Sequence, residues 1–264
     1  MNTVKTNYLC VFTKIQVYLR YFIELSYNGK AYHGWQIQPN AISVQEVIEK
    51  ALSKLLRSNI SIMGAGRTDA GVHASQMFAH FDTDNLVEDR LVFKLNSFLP
   101  HDIAIHNIFQ VNAEAHTRFN ALSRTYIYKI SQQKNVFNSE FTYALNNHLD
   151  LDAMNQACDI LLRYKDFQCF SKVQTDVKTY NCNIMLAQWE CENNQLVFTI
   201  KADRFLRNMV RAIVGTMVNI GLGKMEVESL HNIIKSKNRG EAGFSVPAHG
   251  LYLTKIEYPN TIHI

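Results

Sequence analysis

The residues of this chain best placed for chemistry lie in the segment Gly64-Ala65-Gly66-Arg67-Thr68-Asp69-Ala70-Gly71-Val72-His73-Ala74. Glycines on both sides of Arg-Thr-Asp let the backbone turn sharply and come close to a ligand. Asp69 stands beside the fixed cation of Arg67. A neighbouring cation favours the ionised carboxylate, which suits a nucleophile or base and not a proton donor. From residue types alone the loop also reads as an ordinary turn, with Asp69 bonding its own backbone. No Gly-Lys-Ser/Thr follows, so it is not a phosphate-cradling P-loop.

A second set is cationic. The spacing predicts a helix over 204–220 that stops at Gly221. At about 100° per residue, Arg204, Arg207 and Arg211 would share one face of it. Phe205, Met209, Val210, Ile213, Val214 and Met217 would occupy the other. Asp203, four residues before Arg207, is the one carboxylate spaced to pair any of these arginines, so they form either a solvated face or a site for an external anion, phosphates first. A third set is aromatic: Tyr126 and Tyr128 share a face of a strand in Arg124-Thr125-Tyr126-Ile127-Tyr128-Lys129. Alternating aromatic and basic residues suit stacking on bases with contacts to phosphates, and equally suit core packing.

Other chemistries find no support. His73 and His80 fall on opposite faces of a strand, and no third residue has metal-ligand spacing. There is no Gly-x-Ser-x-Gly elbow. A phosphotransfer or nuclease site on the glycine-rich loop would need the Lys and the carboxylate cluster that are missing. The net charge of +4 over 264 residues permits a polyanionic partner without requiring one. The charge is concentrated, however: residues 201–240 hold eight basic residues against three acids, and such a patch is a better indicator of phosphate contacts than the total. The five cysteines include no Cys-x-x-Cys pair, which reads as reduced thiols and a cytoplasmic location. No apolar stretch of about 18 residues exists, so no transmembrane helix is expected.

The elements that must position these residues can be read from periodicity. Strands are expected at 21–27, 77–82, 103–109, 126–130, 184–191, 196–202 and 251–258, with a hairpin turn at Asn193-Asn194. Ser43 and Glu46 form a capping box. The apolar stripe Val44, Val47, Ile48, Ala51, Leu52, Leu55, Leu56 marks the helix that follows it. Further helices are expected at 85–98, 152–162 and 227–235. Residues 1–19 read as a loosely attached extension. An N-terminal α/β half spans 20–135 with the Asp69 loop, a polar Asn-rich segment 136–150 connects, and a C-terminal half spans 151–264 with the basic helix. The class is α+β, two α/β halves sharing an antiparallel sheet flanked by helices.

Taken together, ordered motifs from residue 20 to 258 resemble the tRNA pseudouridine synthase A family. They are Tyr27-Asn28-Gly29, Tyr32-His33-Gly34-Trp35-Gln36-Ile37-Gln38-Pro39, Ser43-Val44-Gln45, Gly66 to Ala74, Ser123-Arg124-Thr125-Tyr126, Phe205 to Arg211, and Pro247-Ala248-His249-Gly250-Leu251-Tyr252-Leu253. The Gly-Arg-Thr-Asp-Ala-Gly-Val-His-Ala run is the most specific of them. The resemblance implies isomerisation of uridine to pseudouridine at positions 38, 39 and 40 of the tRNA anticodon stem-loop, without metal or organic cofactor. It implies that Asp69 is the catalytic carboxylate, that Tyr126 stacks on the target base and serves proton transfer, and that Arg211 pairs with Asp69. It places Arg67 beside the space left by the flipped nucleotide, a step that base chemistry requires. Leu251 would belong to the apolar wall, and Arg204 and Arg207 would hold phosphates. The implied fold has its active-site cleft between the halves and forms a homodimer. The alternative is an RNA-binding protein of this fold without catalysis. Departures from the family pattern fall at Ala115, Arg163-Tyr164-Lys165-Asp166-Phe167 and Lys178-Thr179-Tyr180.

Overall fold

The computed structural model describes residues 18–84, 86–173 and 177–264. Most of the N-terminal extension and Cys10 lie outside them. In chain order the regular elements are β1 (Leu19–Tyr27), α1 (Val44–Leu56), β2 (Met63–Gly64), β3 (His73–Thr83), α2 (Leu91–Phe98), β4 (Ile103–Val111), β5 (Ser123–Ser131) and β6 (Tyr143–Ala144). They continue with α3 (Leu151–Leu161), β7 (Ile184–Glu192), β8 (Gln195–Ala202), α4 (Met209–Gly221), α5 (Ser229–Ser236) and β9 (Leu251–Glu257).

One sheet runs through the molecule in the order β4-β1-β3-β9-β5-β8-β7, with β2 on β3 and β6 on β5. It is mostly antiparallel, as expected; the exceptions are β3 with β9 and β5 with β6, which pair in parallel. The last strand thus lies at the centre and joins β3 to β5. β3 runs beyond the expected 77–82: His73 and Ala74 lie alongside Tyr252 and Leu253, far away in sequence, and Ala74 also pairs with Tyr27 of β1.

Two hydrophobic cores sit on this sheet. The first gathers α1 and α2 over β1, β3 and β4, with Phe22, Ile23, Leu25, Ile48, Leu52, Met77 and Leu95 at its centre. The second gathers α3, α4 and α5 over β5, β7 and β8, with Tyr128, Met154, Phe167, Phe170, Phe198 and Met217. Leu251 belongs to the second and Leu253 to the first. Alternate residues of a strand face the same way, so both cores lie on one face of β9 with a seam between them. Tyr126 packs against both.

Local chemistry sets the element ends. The Ser43 hydroxyl accepts the Glu46 N–H at 3.3 Å and opens α1, as a capping residue should. Asn193 and Asn194 both take positive φ (48° and 62°), the backbone of a tight primed hairpin turn between β7 and β8. Two expected helices begin late. α2 starts at Leu91, where the buried pair Leu91 and Leu95 begins. Leu86 is largely exposed, the Val87 N–H donates to the Tyr21 hydroxyl at 3.3 Å, and Asn85 lies outside the described residues. α4 starts at Met209 because Asn208 is left-handed, with φ 66°. Its side-chain amide donates to the Ser245 hydroxyl at 2.6 Å.

Candidate active site

The Asp69 loop is held from behind by the segment that follows β1. Gly34 has φ +91°, and a Cβ there would stand 2.4 Å from the Thr68 carbonyl oxygen. Only glycine combines that conformation with that approach. The contact lets the Trp35 N–H donate to the same oxygen at 3.2 Å. Gly71, at φ +79°, closes the loop's other side, its N–H donating to the Tyr32 carbonyl at 3.4 Å. The buried hydroxyls of Tyr27 and Thr68 lie 2.8 Å apart. The residue before Asp69 is therefore tied through both backbone and side chain. The Asp69 N–C frame cannot drift, while its carboxylate stays half-buried.

The second core brings cations to that carboxylate. Arg207 Nε lies 3.7 Å from Asp69 Oδ1, and Arg211 Nη1 lies 3.7 Å from Oδ2. Both distances give charge attraction but exceed a hydrogen bond. The two arginines are anchored differently. Arg211 is on the first turn of α4, and its Nε donates to the Val246 carbonyl at 2.7 Å. The Arg207 side chain is 60% exposed against 21% for Arg211. Arg207 precedes the left-handed Asn208, so it is not on the helix at all.

Consequently the expected face carrying Arg204, Arg207 and Arg211 does not form. Arg204 turns to the Thr179 carbonyl at 3.2 Å, and its own N–H donates to the Asp203 carboxylate. The basic stretch 201–240 is not one patch either. Lys201 pairs with Glu257, Lys237 with Asp166 at 2.8 Å, and Arg239 donates to the carbonyls of Ala242 and Gly243. Sequence spacing counts charges without showing which of them the fold consumes.

On β5 the two tyrosines separate in character. Tyr128 is fully buried, its hydroxyl donating to the Pro247 carbonyl at 2.9 Å, and belongs to the core. Tyr126 stands at the seam, with Phe205 edge-on at 5.1 Å. Burial pushes its phenol up to about 12, with the Asp69 charge adding to the rise and Arg124 opposing it. The hydroxyl is thus protonated at neutral pH. Leu251 is buried at the start of β9 opposite Tyr128, in the same core as Val72 of the Asp69 loop. Arg67 is exposed and has no hydrogen bond or ion pair with any described residue.

Sequence reasoning missed the residue that ties these parts together. Arg124 donates to the carbonyls of Ala121 (3.2 Å), Asp203 (2.7 Å), Ala65 (3.1 Å) and Arg118 (2.6 Å). Burial lowers its pKa, and the carbonyl dipoles take the place of water around the guanidinium. One side chain thereby links the start of the Asp69 loop to the segment leading to Arg207. The motif Ser123-Arg124-Thr125-Tyr126 contains this residue, but spacing does not show its role, because two of its acceptors, Ala65 and Asp203, are backbone atoms of distant residues. Among the described residues no cluster of three His, Cys, Asp or Glu could hold a metal ion, and no helix is long and apolar enough to cross a membrane.

A single carboxylate on a glycine-backed loop, bracketed by two arginines and facing a seam tyrosine, defines a class together with this sheet. The family model described as tRNA pseudouridine synthase matches residues 25–120 and 157–259, and the chain belongs to that family. The match includes Asp69, Arg207 and Arg211 and stops short of Tyr126. Proteins named tRNA pseudouridine synthase A are its relatives: one from Parabacteroides distasonis is 54% identical over 92% of this chain and 97% of its own length. Another from Bacteroides fragilis is 52% identical over 92% and 98%. A more distant one, from Francisella tularensis subsp. holarctica, is 38% identical over 90% and 94%.

Proposed function

We propose that this chain isomerises uridine to pseudouridine in tRNA, at positions 38, 39 and 40 of the anticodon stem-loop, as a cytoplasmic homodimer. The observation that carries the reading is Asp69 set between Arg207 and Arg211 beside a protonated Tyr126. The C1′–N1 glycosidic bond breaks, the uracil turns, C5 bonds to C1′, and the proton lost from C5 is matched by one gained at N1. Asp69 supplies the carboxylate oxygen that the first step needs, whether at C1′, at C6 or at the C2′ proton. Each of these requires the anion, and Arg211, held by Val246, keeps it oriented. Tyr126 lies against the uracil and exchanges the C5 proton. Leu251 closes the apolar wall, Arg67 enters the space of the extruded nucleotide, and Arg207 and Arg204 meet phosphates. The halves 20–135 and 151–264 each supply one side of the cleft, with 136–150 between them. The balance needs no redox partner, since substrate and product are isomers.

The test is incubation with unmodified tRNA transcripts followed by mapping of pseudouridine. Wild-type protein should form it at one or more of the three positions. Asp69→Ala should bind tRNA within about threefold of wild type and form no product, a loss of at least about 10³-fold for a covalent or base catalyst. No product from wild type, with both proteins binding equally, overturns the enzyme in favour of a catalytically silent RNA-binding protein.

A further inference from the structure

The turn 116–122 presents an aromatic that the mechanism does not use. Phe119 is 75% exposed, and its ring is held in a defined place by its neighbours. The His116 ring lies 4.3 Å from it, and the Arg118 guanidinium lies over it at 5.8 Å. His116 Nδ1 accepts the N–H groups of Arg118 (3.1 Å) and Phe119 (3.4 Å), and the Asn120 side chain accepts the His116 N–H at 2.6 Å. These bonds, with the Asn120 N–H donating to the His116 carbonyl at 3.0 Å, hold the tip's backbone, so the exposed ring is preorganised.

The tip is also tied to the Asp69 loop. Arg124 Nη2 donates to both Arg118 O and Ala65 O, which puts those oxygens within about 6 Å of each other. The Thr117 hydroxyl donates to the carbonyl of Met63 at 2.8 Å, on the strand entering that loop. The exposed ring therefore stands at a fixed offset from the start of the loop that carries Asp69. Extruding a uridine unstacks its neighbours, and an aromatic ring beside a cation is what an unstacked base lies on.

We propose that Phe119, with Arg118 beside it, is a stacking platform for an unpaired nucleobase next to the extruded uridine. This rests on tRNA being the substrate and deepens that reading by adding a base contact outside the Asp69 pocket. The test places 2-aminopurine beside the target uridine in a tRNA anticodon stem-loop and follows its fluorescence on binding to wild type, Phe119→Ala and Phe119→Trp. Wild type should change the signal. Phe119→Ala should lose most of that change and bind about tenfold more weakly, the lower range for one stacked base. Its salt dependence should stay unaltered, since no charge is removed, and its turnover at saturating substrate should remain. Phe119→Trp should restore both binding and signal.

A Phe119→Ala protein with wild-type binding and fluorescence overturns the platform. So does weakened binding that Trp does not restore and that comes with a lowered melting temperature, which marks a structural role or a protein-docking surface. Pseudouridine is mapped in the same samples. If wild type forms product while Phe119→Ala leaves the fluorescence unchanged, the platform alone fails. If wild type forms none but the base signal depends on Phe119, the activity fails and the platform stands.

Discussion

The two regions on either side of β9 contribute to the site by opposite means. The first core supplies the carboxylate from a loop, and the loop is rigid because its backbone is pressed against another backbone at Gly34 and bonded at Thr68. The second core supplies cations and the aromatic wall from side chains on α4, its preceding turn and β5. There, position depends on what each side chain is tied to: Arg211 is fixed by Val246, while Arg207 reaches Asp69 from an exposed turn. The acid is thus held by main-chain geometry and the cations by side-chain bonds. Apart from Asp69 itself, changes in the first region should act through stability, and changes in the second through turnover and binding.

After the loss of Asp69 itself, breaking the anchored cation should have the largest effect. Arg211→Ala leaves Asp69 without its oriented partner, and kcat should fall about 10²-fold with tRNA binding little changed, as for loss of a charge-assisted contact in a partly buried site. Single-turnover kinetics on saturating tRNA check this; a change in KM alone would place Arg211 with the binding residues instead. On the other side, Gly34→Ala should lower stability by about 2 kcal/mol or more through left-handed strain and the close carbonyl. Denaturant unfolding reads it, and unaltered stability would mean that the loop backing is soft.

Arg207→Ala sharpens the contrast between the two arginines. Being exposed, it should raise KM several-fold and reduce the salt slope of tRNA binding by about one, with kcat near wild type. A fall in kcat equal to that of Arg211→Ala would remove the distinction. The smallest effect is expected at the seam. Glu257 on β9 accepts from Lys201, from the Ser123 hydroxyl and from Lys255, which together lower its pKa to about 2. A folded pKa below the unfolded value stabilises above the unfolded pKa, and that stability is lost as pH falls from about 4.5 towards 2. The carboxylate is at the surface, so Glu257→Gln should flatten this acid limb by less than about 1 kcal/mol. Melting curves over that pH range, compared with wild type, would show it.

Much of this was legible in the sequence. Glycine spacing marked the loop around Asp69, period-two alternation marked β1, β4, β7 and β8, and the capping residue marked α1, because each depends on neighbours within a few residues. The order of the motifs carried the family. What spacing could not show was where chain segments meet. The Arg204–Arg211 pattern reads as a helix face by count, yet the left-handed Asn208, held by Ser245 from far along the chain, keeps Arg204 and Arg207 off it. Tyr126 and Tyr128 are equivalent by alternation. Only the seam between the two cores leaves one facing Asp69 and buries the other under Pro247. Arg124 looked like one more cation, and its four carbonyl acceptors come from two distant segments and the turn just before it. The sequence by itself determined which residue types could react and the local turns that hold them. Tertiary structure decided which charges remain for a substrate, because hydrogen bonds and burial between remote segments consume the rest.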